Sequence, residues 1–304
     1  MTPPMWFRNL RLYRLRPPRP LDAGWLEASL AKRPLARCGS FEMVSRGWVY
    51  PRAEGAFVHA VERQWLLALG VEQKLLPASV IRQTAQERAT ALEAEQGRKL
   101  SRKEMRELTE RVAEELLPKA FTQRRTTWAW LDPVHGWLVI DAGSDARAEE
   151  FLEVWAATLD ELAPRPLETQ RSPVSAMTAW AAEGEAPAGF ALDDVLELRA
   201  ASEAQSAIRY VRHDIHGPEV AAHIAAGKIV TQLGLTWNDK IAFVLNDKLH
   251  LKRLAFLDVL REQSGQDAVN AEEQFDADFA LMAGELARLF DDLLLALGGE
   301  VKPQ

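Results

Sequence analysis

The sequence predicts an α+β fold with mainly antiparallel sheets, packed helices and a projecting helical hairpin. Several segments of about three to ten residues are apolar or alternate between apolar and polar residues, as strands do. Strand–strand–helix successions occur twice, over residues 126–162 and 240–297. Between the first strands and the first succession, residues 74–121 show helical periodicity. These observations favour antiparallel strands with helices packed on them.

The first 73 residues are predicted to form strands and one short helix. Residues 6–15 alternate for the most part between apolar and polar side chains, with Arg8 and Arg14 on the polar side of a strand. Prolines at positions 17, 18 and 20 end this strand, and residues 22–33 have the pattern of a short amphipathic helix. The apolar runs 47–49 and 64–69 predict two further strands.

Residues 74–121 predict two helices that meet at Gly97. Ser101 followed by Glu104 is a capping box that begins the second helix, and Pro118 ends it. Helices of roughly 17–20 residues would make a hairpin about 25–30 Å long. The hairpin therefore forms a unit of its own between the strands before it and after it.

The turn of this hairpin concentrates positive charge. Residues 74–125 contain twelve Lys or Arg and eight Glu, a net charge of +4. Four basic residues lie at the turn itself: Arg98, Lys99, Arg102 and Lys103. A projecting cationic turn can contact a phosphate backbone without desolvating a core. The alternative is an ordinary pair of solvated helices.

The remainder of the chain predicts a second α+β region. A strand pair at 126–131 and 136–141 precedes a helix at 145–162, and Pro164 and Pro166 mark a boundary. Residues 167–205 are expected to be irregular. The later predicted elements are strands at 207–211, 228–237, 240–245 and 249–256, and helices at 218–226 and 272–297. The predicted domains are 1–73 with 122–165, the hairpin 74–121, and 166–304.

Net charge differs sharply between the two parts of the chain. The whole chain of 304 residues carries −7, which divides into +9 for residues 1–125 and −16 for residues 126–304. This division predicts a basic surface for an anionic partner, unless the two parts neutralise each other in the fold. A single cysteine, Cys38, and the absence of a long apolar run or signal sequence predict a cytoplasmic protein without a membrane span.

No convincing catalytic constellation is found in the sequence. The spacing around Gly227-Lys228 fails the phosphate-loop pattern at both ends, and the spacing of the histidines at 213, 216 and 223 matches no standard metal site. The prediction is a protein that is not an enzyme and has no cofactor or metal. One alternative is a metal-dependent nuclease that uses Asp276 and Asp278, although helix-start acids explain the pair. Another is an interaction scaffold whose C-terminal helix docks a partner.

Short motifs spread over nearly the whole chain resemble the bacterial RdgC family of recombination-associated proteins. No single motif is decisive, but their order over the chain is specific. They are Trp6-Phe7-Arg8-Asn9-Leu10, Cys38-Gly39-Ser40, Gly47-Trp48-Val49, Lys74-Leu75-Leu76-Pro77, Glu93-Ala94-Glu95-Gln96-Gly97-Arg98-Lys99-Leu100, Leu116-Leu117-Pro118-Lys119-Ala120-Phe121, Gly227-Lys228-Ile229-Val230-Thr231, Leu251-Lys252-Arg253-Leu254 and Phe275-Asp276-Ala277-Asp278-Phe279.

The resemblance implies a ring-shaped homodimer that encloses duplex DNA in a positively lined hole. Binding would have no sequence preference. The protein would be associated with the nucleoid and would restrain RecA-dependent strand exchange by occupying DNA. The basic hairpin and the division of charge agree with this expectation.

Individual residues follow from the hairpin, the apolar stripe of the last helix and the resemblance. Expected DNA contacts are Lys74, Arg82, Arg98, Lys99, Arg102, Lys103, Lys119, Arg124, Arg125, Arg209, Arg212, His213 and Lys228. Expected dimer contacts are Phe121, Phe275, Phe279 and Met282. Phe121 could also be a core residue or a base-stacking wedge. Around 209–214 the sequence departs from the family, which tends to have more lysine there.

Overall fold

The computed structural model of the chain describes residues 6–16, 20–52, 54–200, 206–212, 215, 217–263 and 270–301. It confirms an α+β protein with a large antiparallel sheet. The strands are β1 Leu10–Arg14, β2 Val44–Val49, β3 His59–Val61, β4 Gln64–Lys74, β5 Thr122–Asp132, β6 Trp137–Asp141, β7 Arg165–Pro166, β8 Phe190–Ala200, β9 Ala207–Val211, β10 Lys228–Trp237, β11 Ile241–Asn246 and β12 Leu251–Phe256.

Apart from α2 and α3, the helices of the described residues pack on the two faces of this sheet. They are α1 Ala23–Leu30, α2 Ala78–Gln96, α3 Arg102–Leu116, α4 Asp145–Thr158, α5 Pro173–Glu183, α6 Pro218–Ala225, α7 Asp258–Gln263 and α8 Ala271–Ala296. None of them, within the described residues, combines the length and the apolar character that crossing a lipid bilayer requires.

One sheet runs through both predicted α+β domains. Its ten-strand path is β2-β4-β5-β6-β1-β12-β11-β10-β8-β9, with β3 added beside β4 and β7 beside β1. The N-terminal strand β1 is central, because Leu10 is in register with Asp141 of β6 on one side and with Leu251 of β12 on the other. The first strand therefore joins the two halves of the molecule.

Alternating side chains place two apolar cores on opposite faces of the sheet. Leu10 and Leu12 of β1 belong to the larger core, which also contains α5 and most buried residues of α8. Leu15 belongs to the smaller core, with α1 and α4. The larger core spans the two halves, since Phe290 of α8 packs against Trp130 and Trp137 with ring centroids 5.9 and 5.1 Å away.

The helices α2 and α3 form a third, separate cluster. Its buried members are Ala85 and Ala89 of α2 and Leu108 and Val112 of α3. Gly97 ends α2 in the left-handed conformation at φ 65°, which glycine adopts without steric cost. The predicted capping box is present, with Ser101 accepting from the Glu104 amide and Glu104 accepting from the Ser101 amide. These helices are therefore stabilised mainly by each other.

The expectation that residues 167–205 are irregular is wrong. Helix α5 begins after Ser172, whose side chain accepts a hydrogen bond from the Ser175 amide, and it ends at Gly184. Strand β8 follows and pairs with both β10 and β9. Strand β3 and helix α7 were also missed. Residues 201–205 lie outside the described part of the chain.

Candidate nucleic-acid interface

The connection between α2 and α3 and the first turn of α3 carry four exposed cations. They are Arg98, Lys99, Arg102 and Lys103. They differ in the acids that they contact. Arg98 Nη2 lies 2.6 Å from Glu104 Oε1, whereas Lys103 Nζ lies 3.9 Å from Glu107. Lys99 and Arg102 form no ion pair with any other described residue.

The Arg98–Glu104 pair is part of the capping of α3. The guanidinium of Arg98, followed by the Ser101 amide, holds the pKa of Glu104 well below its usual value. Glu104 is therefore a carboxylate under all ordinary conditions and keeps Arg98 against the helix start. Lys99 and Arg102 are the cations of this turn that remain free to contact a phosphate.

Basic residues on and beside the helical pair differ in whether they are exposed for DNA binding. Arg82 and Lys119 are exposed, and Arg82 donates to the Ala78 carbonyl of its own helix at 3.2 Å. Lys74 was also expected to contact DNA, but it is 5% exposed and donates to the Ser40 carbonyl at 2.6 Å. Its ammonium group closes the loop that precedes β2.

Arg124 and Arg125 point to opposite faces of β5. Arg124 Nε lies 2.5 Å from Oε2 of the buried Glu72. Arg125 is bound on the other face to Glu150 of α4. Arg124 is 57% exposed and Arg125 37% exposed. Because consecutive strand residues point to opposite faces, these two expected DNA contacts lie on opposite sides of the sheet.

Arg209, Arg212 and Lys228, which were expected to contact DNA, do not come together as one group. Lys228 is in register with Ala200 at one end of β8, whereas Arg212 follows Val211, which is in register with Val195. This register separates Lys228 from Arg212 by about 20 Å along the strands. Arg209 lies between them and contacts Glu197 at 2.5 Å. His213 lies outside the described residues.

A different basic group lies on the sheet, and of its members only Arg209 was expected to contact DNA. Arg199 and Arg209 both contact Glu197, which is buried and also accepts from Thr231. Arg209, Lys252 and Arg253 line a cavity of about 270 Å³. Burial raises the pKa of Glu197, but these donors outweigh it and the pKa stays below its usual value. Arg199 was missed because the strand that carries it was not predicted.

The predicted dimer contacts divide into one exposed residue and three buried ones. Phe121 is 85% exposed. Phe275, Phe279 and Met282 are 5%, 0% and 0% exposed within the larger core. These three residues, expected at a dimer interface, are instead covered by the sheet of their own chain.

Exposed apolar residues that the sequence analysis did not name accompany Phe121. The amide of Leu75 donates to the Phe121 carbonyl at 2.7 Å, and the amide of Lys74 donates to the Met43 carbonyl at 2.9 Å. Leu75 is 50% exposed and Met43 is 43% exposed. Backbone pairing thus places three exposed apolar side chains at the base of the helical pair.

The acids proposed for a nuclease have other partners. Asp276 Oδ1 lies 2.8 Å from His59 Nε2 and 3.6 Å from Arg52. Asp278 accepts from Gln274 at 2.8 Å, and burial raises the pKa of its carboxyl. In the described ranges, no three His, Cys, Asp or Glu residues are grouped as metal ligands. Asp276 therefore connects α8 to β3. It lies beyond the first turn of α8, although the sequence predicted it at the start of the helix.

Comparison with known proteins identifies relatives along nearly the full length. The family model described as "RdgC: Putative exonuclease, RdgC" matches residues 5–300. The protein is 52% identical over 301 residues to the "Recombination-associated protein RdgC" of Dechloromonas aromatica, covering 98% of this chain and 99% of the relative. Proteins of the same name from Cupriavidus pinatubonensis and Janthinobacterium sp. are 49% and 47% identical, each over 98% of this chain and 100% and 99% of the relative. The chain belongs to the RdgC family of recombination-associated proteins.

Proposed function

We propose that this protein binds duplex DNA without sequence preference as a ring-shaped homodimer and thereby restrains RecA-dependent recombination at the nucleoid. The observation that carries the proposal is the exposed cationic connection of α2 and α3. Lys99 and Arg102 have no acidic partner there among the described residues. The role in recombination that the relatives' names state agrees with it.

Binding in this proposal is electrostatic. Cations on a protruding turn contact phosphate oxygens and release condensed counterions, which contributes affinity that is the same for every sequence. Lys252 and Arg253, which line the cavity beside Arg209, would supply a second contact on the sheet.

The exposed apolar residues at the base of the helical pair support the dimer. Phe121, Leu75 and Met43 are costly to leave in water, and a second copy of the chain would cover them. A closed twofold assembly is the commonest form of homo-oligomer. In the ring, the helical pair would project toward the partner and carry its cations to the rim of the hole.

Two parallel measurements separate this function from the nuclease activity that the family description suggests. Gel shifts with unrelated duplexes of equal length should give equal affinities at equal salt. Parallel incubation with magnesium should leave the DNA intact, because Asp276 is engaged by His59 and Arg52. Magnesium-dependent shortening of the duplex that disappears in Asp276→Ala would contradict the proposal, as would binding of one sequence only.

The pairing of Arg98 distinguishes the cations of the turn from one another. Lys99→Gln should weaken duplex binding more than Arg98→Gln, because the Arg98 charge is already compensated by Glu104 at 2.6 Å. Fluorescence anisotropy with a labelled duplex at low salt measures both. An equal or larger loss for Arg98→Gln would show that Arg98 leaves Glu104 to bind DNA.

A further inference from the structure

A buried carboxylate, Glu197, holds two arginines on the face of the sheet that lies opposite the larger core. Leu196 and Leu198 belong to the larger core, so Glu197 between them points to the other face. The smaller core, which lies on that other face, contains no described residue of β8–β12. No residue of a described helix lines the cavity of about 270 Å³ beside Glu197. This part of the sheet is therefore open to a ligand.

Four donors surround the Glu197 carboxylate, and each of its oxygens accepts two hydrogen bonds. Oε1 accepts from Arg199 Nε at 2.8 Å and from Thr231 Oγ1 at 3.0 Å. Oε2 accepts from Arg209 Nε at 2.5 Å and from Gln232 Nε2 at 3.2 Å. A carboxylate has about four acceptor sites, and here all of them are used. Both arginines are therefore fixed at their Nε atoms.

Binding through Nε leaves the terminal nitrogens of both arginines available. No Nη atom of Arg199 or Arg209 hydrogen-bonds to another described residue. Their side chains are 43% and 66% exposed, so the Nη groups lie at the surface. Arg98 differs, because both of its Nη atoms donate to Glu104, at 3.1 and 2.6 Å. An ion pair thus occupies the donors of Arg98 but only orients those of Arg199 and Arg209.

The charge around Glu197 is positive. Arg199 and Arg209 share its single negative charge, and Lys252 and Arg253 line the same cavity. Among the described residues that line it, Glu197 is the single acid. The four cations exceed this carboxylate by three charges, which favours an anionic ligand.

We propose that Glu197 is a positioning residue for DNA binding, which fixes Arg199 and Arg209 so that their Nη groups together hold one backbone phosphate. The inference rests on the proposed binding of duplex DNA. Glu197 is in register with Arg209, so Arg199 and Arg209 are diagonal neighbours on adjacent strands. Guanidinium groups match the geometry of phosphate oxygens. Side chains that are fixed beforehand lose less conformational entropy on binding.

Replacing Glu197 by glutamine separates positioning from simple neutralisation, because the two roles predict opposite effects. Glu197→Gln raises the net charge by one, which should strengthen phosphate binding if Glu197 only neutralises its arginines. We expect instead a Kd for duplex DNA about five-fold higher, because the released arginines must be ordered again on binding. Fluorescence anisotropy with a labelled duplex at low salt measures the Kd. An unchanged or lower Kd in the folded variant would overturn the proposal.

Glu285→Gln is the matched control. Glu285 is 2% exposed and also holds two cations, Lys240 at 3.1 Å and Arg288 at 2.8 Å. It lies on α8, which packs against the other face of the sheet. The control makes the same change in net charge at a buried carboxylate and should not raise the Kd. A rise of equal size in both variants would assign the effect to lost stability and overturn the proposal.

Arg199→Lys tests the same site at a half-exposed side chain, so it should fold even if Glu197→Gln does not. It keeps the charge, but one ammonium cannot hold Glu197 and reach a phosphate at once. The Kd should rise several-fold, and the slope of log affinity against log salt should fall by about 0.9 for each protomer engaged. An unchanged Kd and slope would overturn the proposal.

The Lys99→Gln variant distinguishes failure of this inference from failure of the proposed function. Weaker binding in Lys99→Gln together with parental binding in Arg199→Lys would leave DNA binding by the helical pair in place and remove only the role of Glu197. Absence of duplex binding by the parental protein would overturn both.

Discussion

Replacing Arg98, Lys99, Arg102 and Lys103 by glutamine should lower the salt dependence of DNA binding. Each phosphate neutralised on duplex DNA contributes roughly 0.9 to the slope of log affinity against log salt. With Arg98 held by Glu104, two or three contacts per protomer are expected. The slope should therefore fall by about 2–3 for each protomer engaged, and affinity should fall much more at low salt than at high salt.

Folding should survive this replacement, because glutamine has nearly the helix propensity of lysine and arginine. Circular dichroism and light scattering would check the fold and the oligomeric state. A matched control replaces Arg88 and Arg106, which pair with Glu115 and Glu110 on the same helices. If the four-residue variant keeps the parental slope, or if the control loses as much, the turn does not bind DNA.

Phe279→Ala should destabilise the fold strongly, whereas Phe121→Ala should not. Phe279 is 0% exposed in the core between α8 and the sheet, and Phe121 is 85% exposed. Truncating a buried phenylalanine costs about 3–5 kcal/mol of unfolding free energy. Urea unfolding followed by tryptophan fluorescence measures the loss for each variant.

Dimerisation should depend on Phe121 rather than on Phe279. Phe121→Ala should weaken self-association in light scattering at micromolar protein, since Phe121, Leu75 and Met43 form the exposed apolar group. A Phe279→Ala variant that retained parental stability but became monomeric would restore α8 as a dimer surface. It would also contradict the packing of α8 on its own sheet.

Local signals predicted the helical pair and the last helix well. The capping box at Ser101, the left-handed Gly97 and the long apolar stripe of α8 are each encoded within a few turns of chain. Helix α5 also has start and stop signals in the sequence, since Ser172 and Pro173 begin it and Gly184 ends it. Its alanine-rich composition was nevertheless interpreted as irregular chain. Strand β8 contains Asp193-Asp194, and aspartate is uncommon in strands, so β8 was not predicted. Pairing with β9 and β10 stabilises it.

Whether an individual cation is free to bind DNA depends on contacts with residues that are distant in sequence. Lys74 is buried because the Ser40 carbonyl meets its ammonium, and Arg209 is bound because Glu197 lies opposite it in register. The alternation of β1 placed Arg8 and Arg14 on a polar side but gave no reason to bury Arg11. Sequence patterns could therefore predict where positive charge accumulates, but not which cations are already neutralised.

Retention on closed circular DNA tests the proposed enclosure of the duplex most directly. Protein loaded at low salt on a closed circle, and on the same circle cut once, is challenged with high salt, which removes phosphate contacts. A ring should remain on the closed circle and slide off the ends of the cut DNA. Equal loss from both forms would contradict a ring around the duplex and leave only surface binding by the cationic turn.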